Sequence, residues 1–362
     1  MNTTKISNYG KLVAFFVVVA VLLSTFAIAA GGWQNVDPPD GGTAPNDDDK
    51  NDTSKDEPNQ EGNQPNNPLP EAQKYFDYIT GTEVTEEASL KKQFAYVIDS
   101  NSPLYGIADC PMLIEFPTES GTRFLMLANR SKEYIKVGSI APTRNYISNL
   151  ACILGATLVS LGKDDAIAYD CLNSEDITID LLKNAGSYYS EYTYFSYTNP
   201  DLVNPLSNST SQNTVVLPYE LAVLGNKAPL GNIFAYNISL PYLNQTSLRY
   251  SSQTHKYTLI KSNSDRIDVS SPSEVAFDNV LILFSDSMTY ENANSTQMVL
   301  NTFGSGEGYY VQNGMAERIS WALTAEGVMT FYNTSGAKLT VNRGNSYIAF
   351  VKSSKINNVI FS

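Results

Sequence analysis

From Leu12 to Ala30 the chain reads LVAFFVVVAVLLSTFAIAA, nineteen residues without a charge. As a helix this run spans about 28 Å at about 1.5 Å per residue, the thickness of a bilayer's hydrocarbon core. Lys5 and Lys11 precede it and strongly acidic sequence follows. That asymmetry predicts an amino terminus in the cytoplasm and everything from Gly31 onward outside. Residues 1–30 are therefore expected to be a transmembrane anchor or a signal peptide. The AIA at 27–29, with small residues at its first and last positions, leaves cleavage open. Residues 12–30 make the cytoplasmic membrane the first expected partner. The expected location is the cell membrane, single-pass with extracytoplasmic domains, or secreted after cleavage.

Residues 31–72 are expected to be an acidic, disordered linker. Between Asp37 and Glu71 stand ten acidic and two basic residues, a net of −8 within a whole-chain charge of −13. Pro, Gly, Asn and Asp dominate, and too few apolar side chains are present to offset the entropy of ordering. Such a coil reaches about 30 to 35 Å, and self-repulsion extends it. An EF-hand starting at Asp47 would need Gly and Glu where Asp52 and Pro58 stand, so no calcium loop is read there. The acidic balance also argues against nucleic acid as a partner.

The folded part begins near Tyr75. FAYVIDS, CPMLIEF and TRFLMLA read as short buried strands, with YIKVGSI as a further strand. Thr143 is expected to cap a helix that buries Leu150 and its three-to-four neighbours and stops at Gly155, after which ATLVSLG returns as a strand. A second helix is expected through SEDITIDLLKNAG, capped by Ser174 and ended by Gly186. Beyond residue 232 the pattern is β throughout. Asn313-Gly314 and Ser335-Gly336 are expected to supply positive φ in two hairpin turns. The expected class is α+β. A mixed α/β sheet domain over 73–231 is followed by a small, mainly antiparallel β domain over 232–354, with a tail over 355–362.

The order of ITGTEV, YVIDSNSP, GIADCPMLIE, GTRFLML, IKVGSIAPTRNYISNLA, YNISLPY, NVLILF, GSGEGYYVQNG and TFYNTSGAKLTVNRGNSYIAFV, from Ile79 to Val351, resembles the YerB-like lipoproteins of Gram-positive bacteria. That resemblance implies two domains of unknown function. The chain departs from the pattern in having no cysteine before Cys110, so a retained helix would replace a lipid anchor. Ala141 and Ser160 stand where relatives tend to carry arginine and histidine. A later PHN signature is absent near TNPDLVN.

Arg144 beside the expected cap Thr143 raises a question, because the helix dipole disfavours a cation in the first turn by a few tenths of a kcal/mol. An anion would compensate. Thr143, Arg144, Arg123 and Glu115 are therefore the candidate anion-binding residues, against the plainer reading that Arg144 pairs with a carboxylate or points into water. Other chemistry is sparse. His255 is the only histidine, which excludes a histidine metal cluster, and no nucleophile motif stands near it. GSGEG at 304 to 308 lacks the helix a dinucleotide site requires. Cys110, Cys152 and Cys171 match no zinc or redox spacing and read as buried small side chains. No catalytic residue, metal or cofactor is expected.

The function read from these features is non-enzymatic binding of an envelope protein or wall polymer by a membrane-tethered protein. The alternative is an enzyme or anion-binding protein acting on phosphate-containing polymer precursors. It leans on Arg123 and Arg144 and on a loose likeness to the LytR-CpsA-Psr ligases.

Overall fold

The computed structural model describes residues 73–163, 178–191, 195–207, 231–243, 245–265, 267–291, 296–323 and 329–362. The expected anchor and linker and Cys171 lie outside them. Among the described residues no helix is long and apolar enough to cross a membrane.

The described chain is mostly β with few helices, within the broad α+β or mainly β class. Its framework is a twelve-stranded mixed sheet. In spatial order its main path runs 338–339, 329–333, 315–323, 304–312, 279–285, 346–352, 112–117, 122–127, 94–99, 157–160 and 178–180, with Ile233–Phe234 added beside Met315–Leu323. The centre is parallel. Ser346–Lys352 lies between Asn279–Ser285 and Met112–Pro117 and runs parallel to both. Two of these strands carry continuous apolar runs, VLILF and YIAFV, and the third, MLIEFP, is interrupted only by Glu115; this is the composition of strands covered on both faces. The strand Met315–Leu323 instead alternates, with Ile319, Trp321 and Leu323 inward and Arg318 and Ser320 outward.

Two core layers cover the sheet. On one face Ile114, Phe116, Leu125, Leu283, Ile348 and Phe350 pack with Tyr146, Ile147 and Leu150 of the helix Asn145–Ile153. Phe116 stacks on Phe350 at 5.3 Å between ring centroids, and Trp321 meets Phe350 edge-on at 6.1 Å. On the other face Leu113, Phe124, Ile282 and Tyr347 pack with Leu248, Tyr257 and Leu259 from a five-stranded antiparallel sheet.

Several expectations change at the level of elements. The large sheet draws strands from both sides of residue 232, because Met112–Pro117 pairs with Ser346–Lys352. The segment expected to be a second helix contains the strand Thr178–Asp180 and a single 3₁₀ turn, Leu181–Lys183; residues 164–177 lie outside the described residues. β-branched Thr178 and Ile179 continue the parallel edge beside Thr157–Ser160, and the Asp180 carboxylate caps the short turn that follows. Residues set apart as a tail are joined to the fold, since Ile360 and Phe361 pair with Ser239 and Ile238. The Asn313-Gly314 turn has φ of 50° and 78°, whereas at 335–336 only Gly336 takes positive φ.

GSGEG lies on the strand Gly304–Gln312. Its glycines serve close approach, because a Cβ on Gly306 or Gly308 would come within 2.4 Å of the Phe284 or Ile282 carbonyl oxygen.

Candidate functional site

The helix Asn145–Ile153 begins one residue later than its sequence predicts. Arg144, not Thr143, is the N-cap, and it makes no side-chain capping bond. Thr143 is fully buried, with its hydroxyl 2.9 Å from Ser148 Oγ and its amide donating to the Gly162 carbonyl. Arg123 Nη1 donates to the Pro142 carbonyl at 2.7 Å, next to Thr143. Three predicted residues therefore meet at the start of this helix.

Arg144 is matched within the fold. Its Nη1 lies 2.8 Å from the Glu119 carboxylate. Glu119 also accepts the Met298 amide, which ties the strand 296–300 to this corner. Burial pushes the Glu119 carboxyl upward, but the bonds from Arg144 and the Met298 amide, with Arg144's charge, outweigh it and hold the pKa down to about 2. The internal carboxylate stands where an external anion was expected.

Glu115 is on the opposite face of the sheet. It pairs in register with Phe124, whereas Arg123 pairs with Phe116, and the two-residue period of a strand turns these side chains to opposite sides. Fully buried, Glu115 meets the five-stranded sheet. Lys261 Nζ donates to Glu115 Oε1 at 2.7 Å, to Thr246 Oγ1 at 2.9 Å and to Thr122 Oγ1 at 3.0 Å. The Thr122 and Thr246 hydroxyls donate to the same Oε1 at 2.5 and 3.0 Å, and Tyr347 donates to Oε2. Burial, then the Glu115 charge, raises the Tyr347 hydroxyl well above the usual phenol range, so it remains a donor. Every polar atom of this knot has a partner, which is how a buried charge pair becomes tolerable. Nearby, a cleft of about 550 Å³ is lined by Ser100, Ser102, Leu104, Lys261, Ile267 and Val269, and the Lys261 ammonium is bonded to Glu115.

The surface group that sequence reading missed is aromatic. Tyr236 is half exposed, and its ring meets Tyr250 edge-on at 5.6 Å. The Tyr250 hydroxyl lies 3.0 Å from Nδ1 of exposed His255. Underneath, buried Tyr257 packs on Tyr250 at 5.2 Å; its hydroxyl donates to the Ala235 carbonyl and accepts the Gly314 amide. The rings are thus held from below. Phe234, 68 % exposed, stands two residues before Tyr236. The signal in sequence was the alternation FAY at 234–236, which gives a face but not its exposure. His255 lies in a turn with φ of 56°.

Among the described residues no cluster of three or more His, Cys, Asp or Glu could hold a metal. Cys110 is a buried thiol whose pKa burial raises.

Residues 238–348 match the family described as "Protein of unknown function (DUF3048) C-terminal domain". The fold is similar to the crystal structure of YerB protein from Bacillus subtilis, with a TM-score of 0.66 and 17% identity over 80% of this chain and 99% of that one. No curated protein matches the chain. The YerB-like resemblance read from the sequence is borne out by these two matches.

Proposed function

We propose that this YerB-like chain is a non-enzymatic binding protein of the cell envelope, held outside the membrane by residues 12–30 and a self-repelling linker, that recognises an envelope protein or wall polymer through Phe234, Tyr236, Tyr250 and His255. The observation that carries this reading is the contrast between two sets of side chains. The charged groups that could have served catalysis or anion binding are matched inside the fold, Arg144 by Glu119 and Lys261 by Glu115. The aromatic group is anchored from beneath and left facing water. Rings that combine apolar faces with hydroxyl and imidazole edges suit polar polymers and protein surfaces, and rigid aromatic side chains lose little entropy on binding.

The test is site-directed photo-crosslinking in intact cells that express the full chain. A photoreactive side chain at position 236 or 250 is expected to trap a discrete adduct that one at exposed Leu90 does not. Adducts that are absent, or the same from all three positions, would defeat the reading.

A further inference from the structure

Apart from this surface, the short sheet formed by 137–138, 189–191 and 195–198 carries a second aromatic group. At its centre is a cation. Lys136 Nζ sits 3.9 Å from the ring centroid of Tyr105, 3.9 Å from that of Tyr197 and 5.9 Å from that of Tyr189. The Glu191 carboxylate completes the enclosure at 2.7 Å. Three electron-rich ring faces and one carboxylate around an ammonium form the chemistry that recognises alkylammonium ions.

The walls are held independently of the lysine. Tyr105 meets Tyr197 edge-on at 5.1 Å, and Tyr189 packs on Tyr197 at 5.9 Å. Backbone bonds between Tyr105 and Gly138 run in both directions. Gly138 must lack a side chain here, since a Cβ would approach the Tyr197 ring within 2.7 Å. The rim is open, because Tyr189 and Glu191 are both partly in water. The occupant is a flexible side chain whose long stem can swing into solvent.

We propose that this group is an alkylammonium-binding site kept filled by the protein's own Lys136, which an external primary or quaternary ammonium group displaces. The proposal stands apart from the aromatic surface at Tyr236 and does not depend on it. A tethered occupant competes at an effective concentration in the millimolar range, so the intact protein binds a free ammonium ion weakly and removal of the occupant exposes a stronger site.

The experiment is calorimetric titration of the full chain, in a maltoside detergent, with tetramethylammonium chloride against matched sodium chloride. Lys136→Ala and Lys136→Ser are expected to bind at least about tenfold more tightly than the parent, the gain that follows from deleting a tethered competitor. Tyr105→Leu added to Lys136→Ala should abolish that gain. Two outcomes overturn the proposal: a folded Lys136 variant that binds no more tightly than the parent, or loss of the cooperative thermal transition in both variants, which would make the lysine a structural strut.

Discussion

Glu115 shows what one residue's partners can decide. From sequence it was grouped with two arginines; in the fold it serves Lys261, 146 residues away. Removing one member of such a pair strands the other's charge in the core. Lys261→Met is therefore expected to cost about 3–5 kcal/mol, read from urea unfolding. Replacing both, as Glu115→Leu with Lys261→Met, should cost less than the single change because no buried charge remains. A loss below about 1 kcal/mol for Lys261→Met would show that water reaches the pair. The knot was not legible beforehand. Lys261 ends a six-residue strand of ordinary composition, KYTLIK, and nothing local reveals that its last residue turns inward.

Among the elements, the helix Asn145–Ile153 was largely readable: its apolar spacing gave the helix and its core contacts, although Ser148 and Asn149 are buried as well, and Gly155, at φ of 63°, ends it as expected. Its start was not, because the carboxylate that offsets Arg144 comes from Glu119 on a separate turn. That pairing makes stability depend on pH. The Glu119 carboxyl has an ordinary value of 4.5 and a folded value of about 2. A depressed carboxyl stabilises the fold above its unfolded pKa, and the contribution fades as pH falls from about 4.5 toward 2. Glu119 is more than a third exposed, so solvent screening limits the effect to about 1 kcal/mol. Arg144→Ala should flatten this part of the stability profile in urea midpoints taken at pH 6, 3 and 2; equal acid losses in parent and variant would count against it. Strands and hairpins were the most legible elements, because a two-residue period and a turn such as Asn313-Gly314 are local properties.

At the scale of the molecule, Ser346–Lys352 inserts between Met112–Pro117 and Asn279–Ser285. The twelve-stranded sheet thus crosses the position where two separate sheets were expected. A fragment ending at residue 231 would leave Met112–Pro117 as an unpaired, largely apolar edge and Glu115 without Lys261, the kind of edge that aggregates. Residues 70–231 produced alone should be insoluble or unfolded, whereas the compact unit Pro70–Ser362 should melt in one transition. Two well-separated calorimetric transitions, or a soluble and cooperatively folded 70–231 fragment, would contradict this.

By itself the sequence determined which segments are extended, where the chain turns tightly and which face of the main helix is apolar, because propensity, periodicity and left-handed turn residues act over a few neighbours. Tertiary structure decided the strand order, the partners of Glu115 and Arg144, and the exposure of Tyr236 beside half-buried Tyr250. Periodicity says which way a side chain points, but only the packing of strands hundreds of residues apart says what it will meet.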